Sequence, residues 1–388
     1  MKKVSMKARI EIIDKQIKKY RKASKKEKSQ ILNTICESTG LSRNRAKRLL
    51  SGSAVIKKKD KKKKDTRGRK IKYDNDFVIA LEKIWHLMDF ACGKRLKAGM
   101  KDMVEALERH DEMTFENDIK QKLFEISSST IDKLLRRSKI KLKFKGKSTT
   151  KPGTLLKKNI PIRLGTEWDD AIPGYVEIDL VAHCGNAAIG EYANTLDVTD
   201  ICTGWTETKA TINKAQKHVF NALIDIENNM PFDYLGIDSD NGSEFINAHL
   251  YKYCNENNIL FTRGRPNKKN DNCFVEQKNW AVVRKNVGYA RYEGKQAVSI
   301  LNEYYDLLRL YTNYFLPQTK LISKERKEGK IIKKYDIPKT PYQRVLDFEH
   351  IPNETKEKLK EHYLTLKPVS IKQKMIKTLE KLLELGTY

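Results

Sequence analysis

The sequence contains no run of 18 apolar residues, and its opening stretch (MKKVSMKARIEIIDKQ) has no uninterrupted hydrophobic segment behind its lysines. Neither a membrane-spanning helix nor a secretory signal is expected, and the chain is expected to stay in the cytoplasm. Cysteine is sparse. Cys36, Cys92, Cys184, Cys202, Cys254 and Cys273 stand singly, with neither the close pairs of a zinc finger nor the density of a disulfide scaffold, so they are read as reduced and mostly buried. His183 beside Cys184 would supply only half of a metal site, and with no matching pair nearby both are read as packing residues. No Ser or Tyr nucleophile motif is evident. Acidic residues fall short of basic ones, 50 against 78, leaving a net charge of +28. Such an excess implies a polyanionic partner, nucleic acid or an acidic membrane surface.

The 388 residues suffice for two or three domains, and the charge is not shared evenly among them. Residues 1–72 hold 27 basic and 6 acidic side chains, whereas 73–388 hold 51 and 44. Polyanion binding is thus concentrated at the N-terminal end. There Ile31, Leu32, Ile35 and Cys36 recur at helical spacing, Ser38-Thr39-Gly40 interrupts, and Ser42 is placed to cap a second helix containing Ala46, Leu49 and Leu50. This is a helix-turn-helix pattern whose second helix offers Arg43, Arg45, Lys47 and Arg48 to a groove or to phosphates; a basic helical hairpin with no groove role is the alternative. Residues 57–70 (KKKDKKKKDTRGRK) are too charged to fold and read as a linker, in which Arg67 and Arg69 resemble a minor-groove hook.

From 76 to 138 the pattern is helical again, with Phe77, Ala80, Leu81, Ile84, Leu87 and Met88 on one face. A second helix-turn-helix is expected to close it: a helix over 119–126, three serines, and a helix over 130–138 with Lys133, Arg136 and Arg137 outward. Residues 139–163 read as a basic linker. At 174 the texture changes to three strands (174–182, 191–198, 205–211), a helix over 213–228, a strand over 234–238, a helix near 245–256, a strand over 259–263 and a helix from about 272. Three strands followed by alternating helices and strands is the order of an RNase H-like α/β sheet. Beyond it, 296–316 is a Tyr- and Leu-rich helix, 317–346 reads as irregular and basic, and 371–385 is an amphipathic helix.

Three carboxylates stand out in this segment. Asp179 lies on the first strand among Val176, Ile178, Leu180 and Val181, where a carboxylate is costly unless satisfied, and a metal ion would satisfy it. Asp240 follows the fourth strand directly before Asn241-Gly242, at the carboxyl end where open α/β sheets place their sites. Asp238, two residues earlier, is the competing choice. Glu276 sits one turn into the last helix, with Phe274, Val275 and Trp280 available to seat it. Glu177, Asp197, Asp200 and Glu244 read as structural, although alternation puts Glu177 and Asp179 on one face. Three such carboxylates can share two divalent ions spaced about 3.5–4 Å for in-line attack on a phosphodiester. Arg263, Arg265, Lys268 and Lys269 crowd the loop before the last helix and are placed to contact scissile phosphates; a merely solvated basic loop is the bland alternative.

Tyr175–Gly288 resembles the integrase catalytic core of insertion-sequence transposases and retroviral-type integrases, the DDE family. The resemblance is carried by Asp179 in EIDL, Asp240 in DNGSEF and Glu276 in NCFVEQKN, with 35 residues between the second and third carboxylates. No His-His-Cys-Cys set precedes the core, which favours a bacterial element and carries over no zinc. The resemblance implies an RNase H-like core preceded by all-α helix-turn-helix DNA-binding regions and followed by a mostly helical, basic C-terminal region. The expected division is 1–56 helix-turn-helix, 57–72 linker, 73–140 second helical region, 141–168 linker, 169–295 catalytic core and 296–388 C-terminal region. It further implies a transposase that binds terminal repeats, with Asp179, Asp240 and Glu276 holding two Mg²⁺ (or Mn²⁺) ions for phosphodiester hydrolysis and strand transfer. The partners would be element ends and target DNA, bridged by a homo-oligomer at the nucleoid. The rival readings are an RNase H-like nuclease that only cleaves, and a domesticated DNA-binding protein without catalysis.

Overall fold

The computed structural model describes residues 6–52, 72–141, 172–239, 244–245, 248–263, 273–327 and 330–387. They fall into two compact units, Met1–Lys72 and Tyr73–Tyr388. No described helix is long and apolar enough to cross a membrane.

The first unit contains α1 (Met6–Lys22), α2 (Lys25–Thr39) and α3 (Arg43–Leu50). Ser24 and Glu27 satisfy each other's backbone N–H in a capping box that starts α2. Gly40, at φ 68°, ends it and donates its N–H to Cys36 O, a left-handed turn that glycine adopts without a Cβ penalty. Ser42 does stand before α3, but its side chain makes no capping bond. The helices are held by Ile13, Leu32, Ile35, Ala46 and Leu50, all buried.

The second unit opens with α4 (Asn75–Leu87), α5 (Gly93–Arg109), α6 (Asn117–Glu125), α7 (Ser128–Leu134) and α8 (Arg136–Lys141). The helix expected over 130–138 is therefore two helices. The chain breaks at Leu135, which buries its side chain and leaves Lys133 on α7 and Arg136 and Arg137 on α8. The sheet segment follows: β1 (Tyr175–Ala182), β2 (Asn194–Asp200), β3 (Thr206–Thr211), α9 (Gln216–Glu227), β4 (Gly236–Ser239), α10 (Ala248–Glu256) and β5 (Leu260–Arg263). Among the described residues these strands form one mixed sheet in the order β3-β2-β1-β4-β5. The first three are antiparallel, and β4 and β5 return parallel through helical crossovers, in the succession expected from the sequence.

One sheet face packs Val176, Ile178 and Val198 against Val219, Leu223 and Ile226 of α9. After α11 (Cys273–Lys278), a π-helical stretch Asn279–Arg284 and α12 (Lys285–Val287), the long α13 (Gly294–Phe315) lies along β3. Asn302 accepts from Ala210 N (2.7 Å) and donates to Ala210 O (3.1 Å); Asn313 repeats the pattern on Thr206 (3.0 and 2.9 Å). These two amides take backbone groups on the edge strand that would otherwise be open to pairing with another chain.

The remainder is β6 (Leu321–Lys327), β7 (Lys330–Tyr335), α14 (Pro341–Asp347), α15 (Asn353–Thr365) and α16 (Pro368–Leu385). Residues 317–346 are thus not irregular. Lysines supply no apolar alternation, so the pairing of β6 with β7 leaves little trace in the sequence. Phe77 and Trp85 of α4, Leu107 of α5, Tyr305 of α13, and Met375 and Leu382 of α16 belong to one continuous core. The cysteines with described side chains are free: Cys202 and Cys254 are buried, Cys36 and Cys184 half-buried. Cys92, against expectation, is exposed at the start of α5.

Candidate active site

On β1 the two-residue period turns Glu177 and Asp179 to the same face, and α11 is seated there. Glu177 is completely buried. Its Oε2 accepts the backbone N–H groups of Phe274 (2.9 Å) and Val275 (3.0 Å), satisfying donors in the first turn of α11 that have no partner within the helix. Asp179 is half-buried; Oδ1 accepts from Leu180 N (2.8 Å) and Oδ2 from the Asn279 side-chain amide (2.6 Å). The helix carrying Glu276 is therefore bonded to the strand carrying Asp179 on both sides of Glu276, which itself is exposed.

Val275 and Asn279, four residues apart, share the face toward β1. Trp280, one position further round, does not seat the helix: it is 58 % exposed, and buried Val282 and Val283 take that role. Asp238 is fully buried, with Oδ1 accepting from Thr262 Oγ1 at 2.6 Å. In the parallel register Glu177 stands opposite Asp238, and Ile178 opposite Ser239, the residues before Asp179 and Asp240 respectively. Asp240 itself lies outside the described residues.

Behind Asp179, its cross-strand partner Asp197 is fully buried. Burial pushes the Asp197 carboxyl well above the usual carboxylate range, an effect opposed by the Lys278 ammonium. Burial conversely lowers Lys278, which Asp197 pulls back up. Lys278 Nζ donates to Gly204 O (3.1 Å) and Gln318 Oε1 (2.7 Å). Asp200 is a turn residue: it accepts from Gly174 N, Thr203 N and Thr203 Oγ1, while burial pushes its carboxyl up to about 6.

His183 is a packing residue. Its Nε2 shares a 2.7 Å bond with Thr195 Oγ1, which in turn bonds Tyr305 OH at 2.7 Å. Burial, aided by nearby Arg284, lowers the imidazole to about 3 and keeps it neutral.

The donor set suits a hard cation. Asp179 and Glu276 offer only oxygen, the donor that such a cation takes. Among the described residues no group of three or more His, Cys, Asp or Glu is placed to hold a metal.

Of the expected DNA contacts, Arg45, Lys47 and Arg48 are exposed on α3, and Arg136 and Arg137 on α8. Arg43 is exposed but turned back, donating to Asn33 Oδ1 and to Ser29 Oγ (2.7 Å) of α2. Arg263 is half-buried at the end of β5. Arg67, Arg69, Arg265, Lys268 and Lys269 lie outside the described residues. Sequence reasoning missed Asn279 and the half-buried Lys278. The available signal was a polar residue four positions after Val275, on the face that should have been apolar.

These elements define a mixed five-stranded α/β sheet with helical regions before and after it, in which the strand of Asp179 and the helix of Glu276 are hydrogen-bonded to each other. The chain belongs to the family of the uncharacterized protein y4rM of Sinorhizobium fredii (strain NBRC 101917 / NGR234), to which it is 35% identical over 344 residues, 88% of this chain and 96% of that protein. No family model matches the chain. Among solved structures it is similar to the HTLV-2 integrase catalytic core domain in complex with magnesium (dimeric form), with TM-score 0.30 and 13% identity over 38% of this chain and 92% of that one. It is also similar to the catalytic core domain of BIV integrase, with TM-score 0.30 and 15% identity over 46% of this chain and 96% of that one.

Proposed function

We propose that the chain is a DDE transposase of a bacterial mobile element. It binds the element's terminal repeats and carries out phosphodiester hydrolysis and strand transfer. The observation that carries this reading is the double attachment to β1 of α11 and the π-helical turn that continues it, Glu177 to the Phe274 and Val275 amides and Asn279 to Asp179, which ties Asp179 to the helix of Glu276. Asp179, Asp240 and Glu276 would hold two Mg²⁺ or Mn²⁺ ions. Such ions, when bound, lower the pKa of the attacking water and offset charge on the leaving oxygen. Asn279 orients Asp179, and Glu177 fixes the start of the helix that presents Glu276. Water attacks one phosphodiester, leaving a 3′-hydroxyl and a 5′-phosphate. The 3′-hydroxyl then attacks a target phosphodiester, so each bond broken is matched by one formed.

The basic residues divide between two tasks. Arg43, Arg45, Lys47, Arg48, Arg136 and Arg137 contact the element ends, with Arg67 and Arg69 in the linker; Arg263, Arg265, Lys268 and Lys269 contact the scissile region. In this division regions 1–56 and 73–140 carry end recognition, 169–295 carries the chemistry and 296–388 follows it, with 57–72 and 141–168 as linkers. The protein works at the nucleoid as a homo-oligomer bridging two DNA ends.

The test begins with the inverted repeats flanking the coding region, used as substrate with Mg²⁺. Asp179→Asn, Asp240→Asn and Glu276→Gln each abolish cleavage while DNA affinity stays within a few-fold; Asp238→Asn retains cleavage. Comparable cleavage by Asp240→Asn refutes the assignment. Strand transfer from a pre-cleaved end separates a transposase from an enzyme that only cuts.

A further inference from the structure

β6 and β7 pair only with each other among the described residues, and neither joins the large sheet. The ribbon exposes Leu321, Ile322, Ile331, Ile332 and Tyr335, each about half accessible. Leu321–Tyr335 contains six cations and two carboxylates. In register, Lys324 stands opposite Lys333 and Lys327 opposite Lys330. Like charges directly opposed weaken an antiparallel pair, and a two-stranded ribbon has little stability to spare. A polyanion laid along the ribbon turns that repulsion into attraction.

The root of the ribbon lies beside the candidate site. Gln318 and Lys339 exchange backbone hydrogen bonds (2.8 and 3.1 Å), and Asp336 accepts from Lys320 N at 2.6 Å and pairs with Arg344 at 2.7 Å. Lys320 Nζ donates to Cys202 O (2.7 Å), just past β2, and the Gln318 side chain accepts from Lys278, two residues beyond Glu276. The arm is thus fastened to the helix that carries Glu276. Its strands of seven and six residues extend about 20 Å, and a two-stranded ribbon is narrow enough for the major groove.

We propose that β6–β7 is a DNA-binding arm that grips the phosphate backbone of duplex held at the Asp179–Glu276 site without reading its sequence. This rests on the DNA-processing reading above. The test uses the full-length protein with Lys324, Lys327, Lys330 and Lys333 all changed to Gln, and a 40-bp duplex lacking element ends, titrated over a range of salt.

The expected result is a salt slope shallower by about 2–4, each lost phosphate contact being worth about 0.9, with melting unchanged or raised because the opposed charges are gone. The Lys→Arg counterpart at the same four positions keeps the slope, which separates lost charge from a damaged fold. An unchanged slope with four glutamines overturns the proposal. A fall in native mass at unchanged slope also overturns it, making the ribbon a contact between copies. The catalytic reading fails separately: Asp179→Asn leaves the slope intact, so an arm that binds DNA on a chain that never cleaves overturns the transposase and not the arm. A wild-type chain that binds no duplex overturns both.

Discussion

Asn279 and Asp179, 100 residues apart in the chain, meet at 2.6 Å, side-chain amide to carboxylate. The bond sets the orientation of a carboxylate assigned here to a metal. Asn279→Leu removes it without adding charge. Partners that orient metal ligands are worth about 10–100-fold in metal affinity or activity. The cleavage rate, followed against Mg²⁺ concentration, should fall by about that factor and need more metal to reach half its maximum. An unchanged Mg²⁺ profile would show that Asp179 is held by its strand alone.

Glu177 tests the seating of α11. Glu177→Ala leaves the Phe274 and Val275 amides without their acceptor in a buried place. At about 1–3 kcal/mol for each of the two orphaned groups, the loss should be about 2–6 kcal/mol, read as a lower urea midpoint at constant m-value. Glu177→Gln keeps an oxygen acceptor and should lose less. Equal losses would mean that the charge, and not the hydrogen bonds, holds the helix.

The His183 imidazole makes a pH prediction with a definite sign. Its folded pKa of about 3 lies below the ordinary 6.5, so the folded state excludes a proton that the unfolded chain takes up. Its contribution is complete above about pH 6.5 and is lost as pH falls from there toward 3, by at most about 1.4 kcal/mol per pH unit. His183→Gln keeps a partner for Thr195 and does not titrate. Urea midpoints measured between pH 7 and pH 4 should fall more steeply for the wild type; parallel curves would remove His183 from the acid response.

Arg43 and Arg45 are two residues apart on α3 but should behave differently. Arg43 is bonded to Asn33 and Ser29, so Arg43→Ala should lower the melting temperature of the first unit as well as DNA affinity. Arg45→Ala, at an exposed position, should lower affinity alone, with a salt slope reduced by about 0.9. Equal melting temperatures would show that the Arg43 bonds add nothing to stability.

Local pattern was enough to read where the strands and helices of the five-stranded sheet segment lie. Val176 and Ile178 alternate with polar neighbours, which marks β1, and Val219, Leu223 and Ile226 recur at helical spacing, which marks α9. The same periods put Asp179 on a strand and Glu276 early in a helix, because backbone periodicity repeats every two or 3.6 residues and needs only a short window. The tertiary structure decided what those elements touch. That Glu177 takes the first amides of α11, that Asn279 turns inward while Trp280 turns out, and that Asn302 and Asn313 close the β3 edge all depend on contacts spanning 92 to 107 residues. The same holds for the β6–β7 ribbon, whose lysines hide the strand pattern that pairing reveals. A buried polar side chain is worth its place only when its partner arrives from elsewhere in the chain, and no local period encodes that arrival.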